Sequence, residues 1–179
     1  MVNRSRLDSS HKSHSRMQKE EKAFRRAFGE KLHSRRVELD LSGREAAESS
    51  FVSTAIIYRC ETGESLPESD AFIRIVNNLH IDVSDILPSS KIEASLTASK
   101  KIDLKEITKE QFTQLFSEAI AVRRKELGDS QGDLAEKIDA TQSMVSRWEN
   151  GTETPRSTMF IRLMKVLQFD PFGIAKAKR

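Results

Sequence analysis

The chain has 179 residues, 32% of them charged, and a formal net charge of +3. This length allows about one domain or two small ones, and no apolar run approaches the ~18 residues that would span a bilayer. The basic N-terminal residues lead into no apolar stretch, which argues against a secretory signal, and the single cysteine excludes an intrachain disulfide. We therefore expect a protein of the reducing cytoplasm.

The first 22 residues are rich in serine, histidine and basic residues and have few apolar side chains. Such a composition buries too little apolar surface to order itself, so we expect a disordered basic tail over residues 1–22. The tail is either simply solvated or an arm that follows a DNA groove and touches phosphates.

A helical domain is predicted after this tail, over residues 23–87. From Phe24 onwards apolar residues recur at helical spacing, and Ser42 with Glu45 three residues later forms a capping box at the start of another helix. Gly63 suits the left-handed conformation that ends a helix. The four helices predicted here span about residues 23–39, 43–50, 53–60 and 68–79, and a short turn follows through residue 87.

The same pattern recurs in the second half of the chain, 88 residues later and without a gap. About a third of the positions from Phe24 to Leu87 are identical in the second copy. Self-similarity at a fixed offset indicates a repeated structural unit. The clearest matches are Arg35-Arg36-x-Glu38-Leu39 with Arg123-Arg124-x-Glu126-Leu127, and Arg59-x-Glu61-x-Gly63 with Arg147-x-Glu149-x-Gly151.

The repeat predicts a second domain over residues 108–175, with a linker at 88–107 and a basic C-terminal tail at 176–179. No segment alternates apolar and polar residues as a strand does, so the expected fold is all-α, with about five short helices in each domain. The helices predicted in the second domain span about residues 109–127, 131–138, 142–150 and 156–167.

The second copy carries many characteristic residues at fixed spacing. They are Arg124, Ser130-Gln131-x-Asp133-Leu134-Ala135, Thr141-Gln142-Ser143-x-Val145-Ser146-Arg147-Trp148-Glu149-Asn150-Gly151 and Pro155. This pattern resembles the Xre/Cro/phage-repressor family of helix-turn-helix domains over nearly the whole of residues 112–172, and the first copy matches it more loosely. The resemblance implies two lambda-repressor-like domains in tandem, each with a short recognition helix for the DNA major groove.

The third helix of the second copy has two different faces. Val145 and Trp148, three residues apart, share an apolar stripe that can close a core. A recognition helix needs such a rear face, because its polar residues must meet base edges. Arginine can bind guanine, and glutamine adenine, with two hydrogen bonds. The base-contacting residues expected on the opposite stripe are Gln142, Ser143, Ser146 and Arg147.

Other residues of the motif resemble family positions that contact the DNA backbone. Gln131 is the first residue of the second helix, and helix N-termini carry free N–H groups that suit phosphate. Such contacts set the register and most of the salt dependence, but carry little sequence information. The backbone-contacting residues expected are Gln131, Thr141, Asn150 and Arg156 in the second copy, and Ser42 and Ser53 in the first.

Two pairs of charged residues resemble a family salt bridge that ties the first helix to the end of the third. The pairs are Arg124 with Glu149 and, in the first copy, Arg36 with Glu61. We interpret both as structural. Because the sequence has no Gly-rich phosphate loop, nucleophile elbow or paired carboxylates, we expect no enzymatic activity, no metal and no cofactor.

The first copy departs from the motif where DNA contact is concerned. Gly43 replaces Gln131, and Cys60 stands at the position of Trp148, where we expect a buried apolar filler. Acidic residues at 64, 68 and 70 add negative charge nearby. The copy therefore either contacts DNA less strongly or serves in dimerisation or partner binding. Its recognition face would consist of Thr54, Ala55, Tyr58 and Arg59.

The sequence thus predicts a transcriptional regulator of bacterial, phage or mobile-element type, working on the nucleoid in the cytoplasm, with double-stranded operator DNA as its partner. The alternative is a protein-interaction module, antitoxin-like or anti-activator, whose first domain binds a partner. Repression and activation stay open, as do a homodimer and contact with RNA polymerase or a regulatory protein. An extended linker of about 18 residues could span ~60 Å, more than the ~34 Å between adjacent half-sites, so one chain could occupy direct or inverted repeats.

Overall fold

A computed structural model describes residues 4–83, 86 and 103–168, with the side chains of residues 4–14, 16 and 17 left aside. Over these residues the chain forms eight α-helices and no β-sheet, which confirms the all-α prediction. The helices are α1 (Arg4–Glu38), α2 (Gly43–Ser49), α3 (Thr54–Glu61), α4 (Ser69–Asn78), α5 (Lys109–Glu126), α6 (Gln131–Ile138), α7 (Gln142–Glu149) and α8 (Ser157–Leu167).

The backbone repeats at the same offset as the sequence. A capping box opens both α2 and α6, at Ser42 and Ser130. The positive-φ residues of the described chain fall into four pairs that are 88 positions apart, and this holds even where the residue type differs. The turns are therefore fixed by the packing of the helices around them and not by glycine alone. The pairs are Asp40 with Gly128, Phe51 with Asp139, Gly63 with Gly151 and His80 with Gln168.

Each half has its own aromatic core. In the first half Phe28 contacts Phe72 with ring centroids 4.8 Å apart, and Phe24 packs against both. In the second half Phe112, Phe116 and Phe160 form the same trio, with centroids 5.4–5.5 Å apart. Cys60 is buried, as predicted for the position that Trp148 occupies in the other core.

The first helix is longer than the sequence pattern indicates. We expected a disordered tail to residue 22, but α1 begins at Arg4; residues 1–3 lie outside the described part. No glycine or proline interrupts the chain before Gly29. In addition, Glu21 and Glu20 form ion pairs with Arg162 and Lys165 of α8, at 3.4 and 2.9 Å. These contacts hold the C-terminal part of the segment, and composition alone does not reveal them.

The ends of the predicted domains are only partly covered. We expected about five helices per domain, and the described residues contain four in each. Residues 84, 85 and 87 of the predicted turn, and all residues after 168, lie outside the described part. The predicted tail at 176–179 and most of the linker, residues 88–102, lie outside as well. At the end of that linker Ile107 is fully buried, so this part is packed and not solvated.

The two halves of the chain meet at the starts of α4 and α8. The Ser69 hydroxyl donates a hydrogen bond to the Pro155 carbonyl over 2.7 Å, and the Ser157 hydroxyl donates one to the Pro67 carbonyl. Between them the backbones of Glu68 and Arg156 form an isolated antiparallel β-bridge. Both serines are buried. Each half thus offers the same Pro-x-Ser segment to the other.

Two arginines extend this contact in a matching way. Arg74 donates from Nε to the Ser50 carbonyl of its own half and from Nη1 to the Ile107 carbonyl of the other. Arg162, its counterpart, donates to the Ile138 carbonyl of its own half and to Glu21 of the other. Each arginine therefore links the end of α2 or α6 to the opposite side of the contact, Arg74 just before α5 and Arg162 within α1.

Candidate nucleic-acid interface

The third helix of the second half, α7, presents its polar face to solvent. Its apolar face is anchored, because Val145 and Trp148 are buried in the core. Thr141 is the N-cap, and its hydroxyl accepts a hydrogen bond from the backbone N–H of Met144. The four residues predicted to contact bases lie on the other side, with Gln142, Ser143 and Arg147 exposed and Ser146 half-buried.

The two arginines expected to contact bases are each paired with an acidic side chain of the following loop. Arg147 lies 3.0 Å from Glu153, and Arg59 lies 3.1 Å from Glu64. About half of each Arg147 and Glu153 side chain is exposed, at 52% and 49%. Exposed ion pairs contribute about 0–1 kcal/mol, so either guanidinium can leave its partner for a DNA acceptor at low cost.

Behind α7 lies a hydrogen-bonded cluster that joins three helices. Arg124 of α5 donates to both Glu149 oxygens, at 2.6 and 2.9 Å, and to the Asp129 carbonyl. Gln131, at the start of α6, donates from Nε2 to Glu149 over 2.8 Å. Burial disfavours the Glu149 carboxylate, but the hydrogen bonds from Arg124 and Gln131 outweigh it and lower the pKa of Glu149. The cluster fixes the end of α7 against α5 and α6.

The first half contains the same cluster without the glutamine. Arg36 donates to Glu61 at 2.5 and 3.0 Å and to the Leu41 carbonyl. At the position of Gln131 stands Gly43, and a Cβ built there would lie 2.8 Å from the ring and hydroxyl of Tyr58. The aromatic ring thus lies against the start of α2. Gly43 and Tyr58 both differ from their counterparts in the second half, and the two differences depend on each other.

The outer face of α3 offers fewer groups for base contact than that of α7. Ala55, Tyr58 and Arg59 are exposed, and Thr54 is half-buried. At the N-cap, Ser53 makes no side-chain capping hydrogen bond, unlike Thr141. Arg59 supplies the one guanidinium of this face, and Tyr58 supplies a single hydroxyl.

The structure corrects the expectation that Asp70 adds negative charge to the surface near α3. Asp70 is buried and forms an ion pair with Arg74 over 2.8 Å, so it does not contribute to the surface. Glu64 and Glu68 are exposed, as expected. The surface beside α3 is therefore less acidic than the sequence suggested.

The residues expected to contact the DNA backbone are spread around the recognition helices. Gln131 is half-buried and engaged with Glu149, whereas Thr141 and Asn150 lie exposed at the two ends of α7. Ser42 caps α2 by accepting from the Glu45 N–H over 3.2 Å. Arg156 is exposed but lies at the bridge between the halves, five residues after Gly151.

Sequence reasoning missed the residues that join the two halves. Ser69 and Ser157 occupy equivalent positions and begin equivalent helices, but a serine at a helix start looks the same whether it faces solvent or another domain. The signal that could have revealed these residues is the Pro-x-Ser pattern, which occurs in both copies. Within the described residues, no helix is long and apolar enough to cross a membrane, and no cluster of three potential metal ligands occurs.

Residues 120–174 match the family model of the helix-turn-helix domain. The matched span covers the end of α5 from Ile120 and the whole of α6, α7 and α8, and it lies wholly in the second repeat. The match supports a DNA-binding role in transcription regulation for this segment. Comparisons with curated proteins and with solved structures found no match.

Proposed function

We propose that this protein is a sequence-specific regulator of transcription that binds double-stranded DNA and reads the major groove mainly with α7. The observation that carries the proposal is the outward polar face of that helix, held by a buried apolar face and by the Arg124–Glu149–Gln131 cluster. A rigid helix with exposed donors and acceptors at its N-terminal end fits the recognition helix of a helix-turn-helix domain.

Base reading follows from two side chains of that face. Arg147 can leave Glu153 and donate two hydrogen bonds to guanine, and Gln142 can pair with adenine through its amide. Ser143 and Ser146 can donate to or accept from either kind of base. These residues together would specify one half-site.

Phosphate contacts would set the position of α7 in the groove. The N-terminus of α6 begins at Gln131, and its free N–H groups favour an anion. Thr141 and Asn150 lie exposed at the two ends of α7, where the two DNA strands that border the groove would pass. These contacts would make affinity fall steeply with salt.

Such a regulator would be of bacterial, phage or mobile-element type, and it would act on the nucleoid of the cell. Binding across a promoter would repress by excluding RNA polymerase, whereas activation would need a direct contact with the polymerase. A homodimer or a regulatory protein could add further DNA-binding units. Each of these roles uses the same DNA-reading surface.

A gel-shift titration with fragments of the host genome tests the proposal. A subset of fragments should stay bound in excess random competitor, and their affinity should fall about 10³-fold or more between 50 and 200 mM salt for six or more phosphate contacts. Equal binding of all fragments, or binding that does not change with salt, would contradict it.

A second candidate function concerns the first half. Phe51 and Tyr58 are 60% and 53% exposed, and α3 has few groups for base reading. These features favour a role of this half in binding a partner protein, as an antitoxin-like or anti-activator module. A footprint whose length is unchanged by Arg59→Ala would support this candidate over DNA contact by α3.

A further inference from the structure

The contact between the two halves has a specific symmetry. Glu68 and Arg156 are counterparts in the repeat, and they pair with each other in an antiparallel bridge. A position that pairs with its own counterpart lies on the axis that exchanges the two halves. A head-to-tail arrangement would instead join two different positions, as heterologous interfaces do.

A reciprocal pair of hydrogen bonds obeys the same rule. Ser69 donates to the Pro155 carbonyl, and Ser157 donates to the Pro67 carbonyl, so exchanging the halves exchanges the two bonds. Arg74 and Arg162 are counterparts as well, and each also donates across the contact, although their acceptors, Ile107 and Glu21, are not counterparts. The halves are thus related by a local two-fold axis, as two subunits of a symmetric dimer are.

We propose that one chain is a complete reader of an inverted repeat, with α7 on one half-site and α3 on the other, and that the two half-sites differ in sequence. The inference rests on the proposed function and specifies its DNA target. A two-fold axis relates α3 to α7, and it requires the DNA sites that they read to be related by a two-fold axis as well. A direct repeat, whose half-sites are related by translation, does not fit this arrangement.

The contact lies close to both recognition helices. α3 ends at Glu61 and α7 at Glu149, and each Pro-x-Ser segment begins six residues later. Such short loops hold both helices near the axis, as reading half-sites about one DNA turn, ~34 Å, apart requires. The spacing of the half-sites is thereby fixed by the interface and not by the linker.

Buried and paired groups make the contact specific. Ser69 and Ser157 are 0% and 1% exposed, and their hydroxyls would lose their partners if the halves separated. Asn78 donates to the Lys105 carbonyl over 2.8 Å on one flank, and Lys165 pairs with Glu20 on the other. Because both halves belong to one chain, their association needs no second molecule and does not depend on protein concentration.

The half-sites would differ because the two reading faces differ. α7 presents Gln142 and Arg147, whose bidentate hydrogen bonds specify adenine and guanine. α3 presents Arg59 and an alanine that can contact a thymine methyl group. We therefore expect an imperfect palindrome, with the more sharply defined half under α7.

Selection of bound sequences from random double-stranded DNA by the full chain tests this inference. The enriched sequences should contain two unlike half-sites in inverted orientation, and native mass spectrometry should find one chain per duplex. On probes of the selected site, reversing one half-site or inserting 5 base pairs between them should weaken binding roughly 100-fold, because only one recognition helix can then engage.

A variant of the contact provides the control. Ser69→Ala combined with Ser157→Ala should loosen the halves and reduce the discrimination between inverted and direct repeats to a few-fold, whereas the exposed Ser34→Ala should leave it unchanged. If the double variant does not fold, the probe series on the unaltered protein still decides. A single half-site, a direct repeat, two chains per duplex or tolerance of the insertion would overturn this inference alone. Failure to enrich any sequence would overturn the proposed function as well.

Discussion

Tyr58 packs over Gly43, and a Cβ at Gly43 would lie 2.8 Å from the phenol hydroxyl. In the second half the corresponding residues are Ser146 and Gln131, so each half combines a small residue at one of these two positions with a larger one at the other. The pair explains why the first half tolerates a glycine at the first position of α2. It also moves a phenol to the place where the other half has an amide.

Gly43→Gln, which installs the residue of the second half, should lower the free energy of unfolding by about 1 kcal/mol, because the exposed Tyr58 ring must move away from the new side chain. Gly43→Gln combined with Tyr58→Ser should recover most of this loss, since it copies the arrangement of the second half. Urea unfolding of both variants and of Tyr58→Ser alone measures the coupling energy. Additive effects would show that the two residues are independent.

Arg147→Ala should weaken binding to the selected DNA by about 1–3 kcal/mol and relax the preference at one base pair. The reason is the loss of a bidentate contact with guanine. Fluorescence anisotropy on the selected site and on its single-base variants measures both effects. Equal loss on selected and random DNA would mean that Arg147 contacts phosphate instead, and Arg59→Ala is the matched test for α3.

Glu149→Ala should cost about 3 kcal/mol of stability, because it leaves the guanidinium of Arg124 buried without its partner. The exposed Glu153→Ala is the control and should stay within about 0.5 kcal/mol of the unaltered protein. Chemical unfolding followed by the fluorescence of Trp148, which is buried next to this cluster, reports on the second half. A loss below about 1 kcal/mol would be incompatible with a structural role for the pair.

The pKa of Glu149 predicts the direction of a pH effect. The folded chain lowers this pKa below the ordinary 4.5, so the unfolded chain binds the proton more readily. The stabilisation is therefore complete above about pH 5 and is lost as the pH falls through the lowered value. Unfolding curves between pH 3 and pH 7 should show a smaller decline for Glu149→Gln than for the unaltered protein, and parallel declines would argue against the shift.

The thiol of Cys60 should be inert in the folded protein. Burial raises its pKa to about 12, and the side chain is packed in the core of the first half. Thiolate is the reactive form, so a disulfide reagent at pH 8 should label the protein only as fast as the first half opens. Labelling in denaturant gives the reference rate, and native labelling at the same rate would show that the core is not closed.

The sequence predicted most of the helical pattern, because the signals are local. The capping serines Ser42 and Ser130 and the apolar spacing before them placed α2, α5 and α6 within one or two residues. The inner and outer faces of α7 followed from the spacing of Val145 and Trp148. These features depend on neighbours in the chain and can be inferred without the rest of the molecule.

Features that depend on distant residues could not be inferred in this way. Glu20 and Glu21 stand in a polar segment, and only their contact with α8 reveals a reason for order. Asp70 has its ion-pair partner Arg74 only four residues away in α4, but the local sequence does not reveal that Asp70 is buried. The repeat shows that the halves share a helical pattern, but not that the starts of α4 and α8 contact each other.

The bridge between Glu68 and Arg156 shows what joining both halves in one polypeptide makes possible. Residues paired in an antiparallel bridge bring their Cβ atoms to about 4.5–5.5 Å. In an assembly of identical subunits this central position would face itself, and two glutamates or two arginines would repel. Here one of the two positions is acidic and the other is basic, so joining the halves in one chain avoids a repulsion that self-association of either half alone would meet.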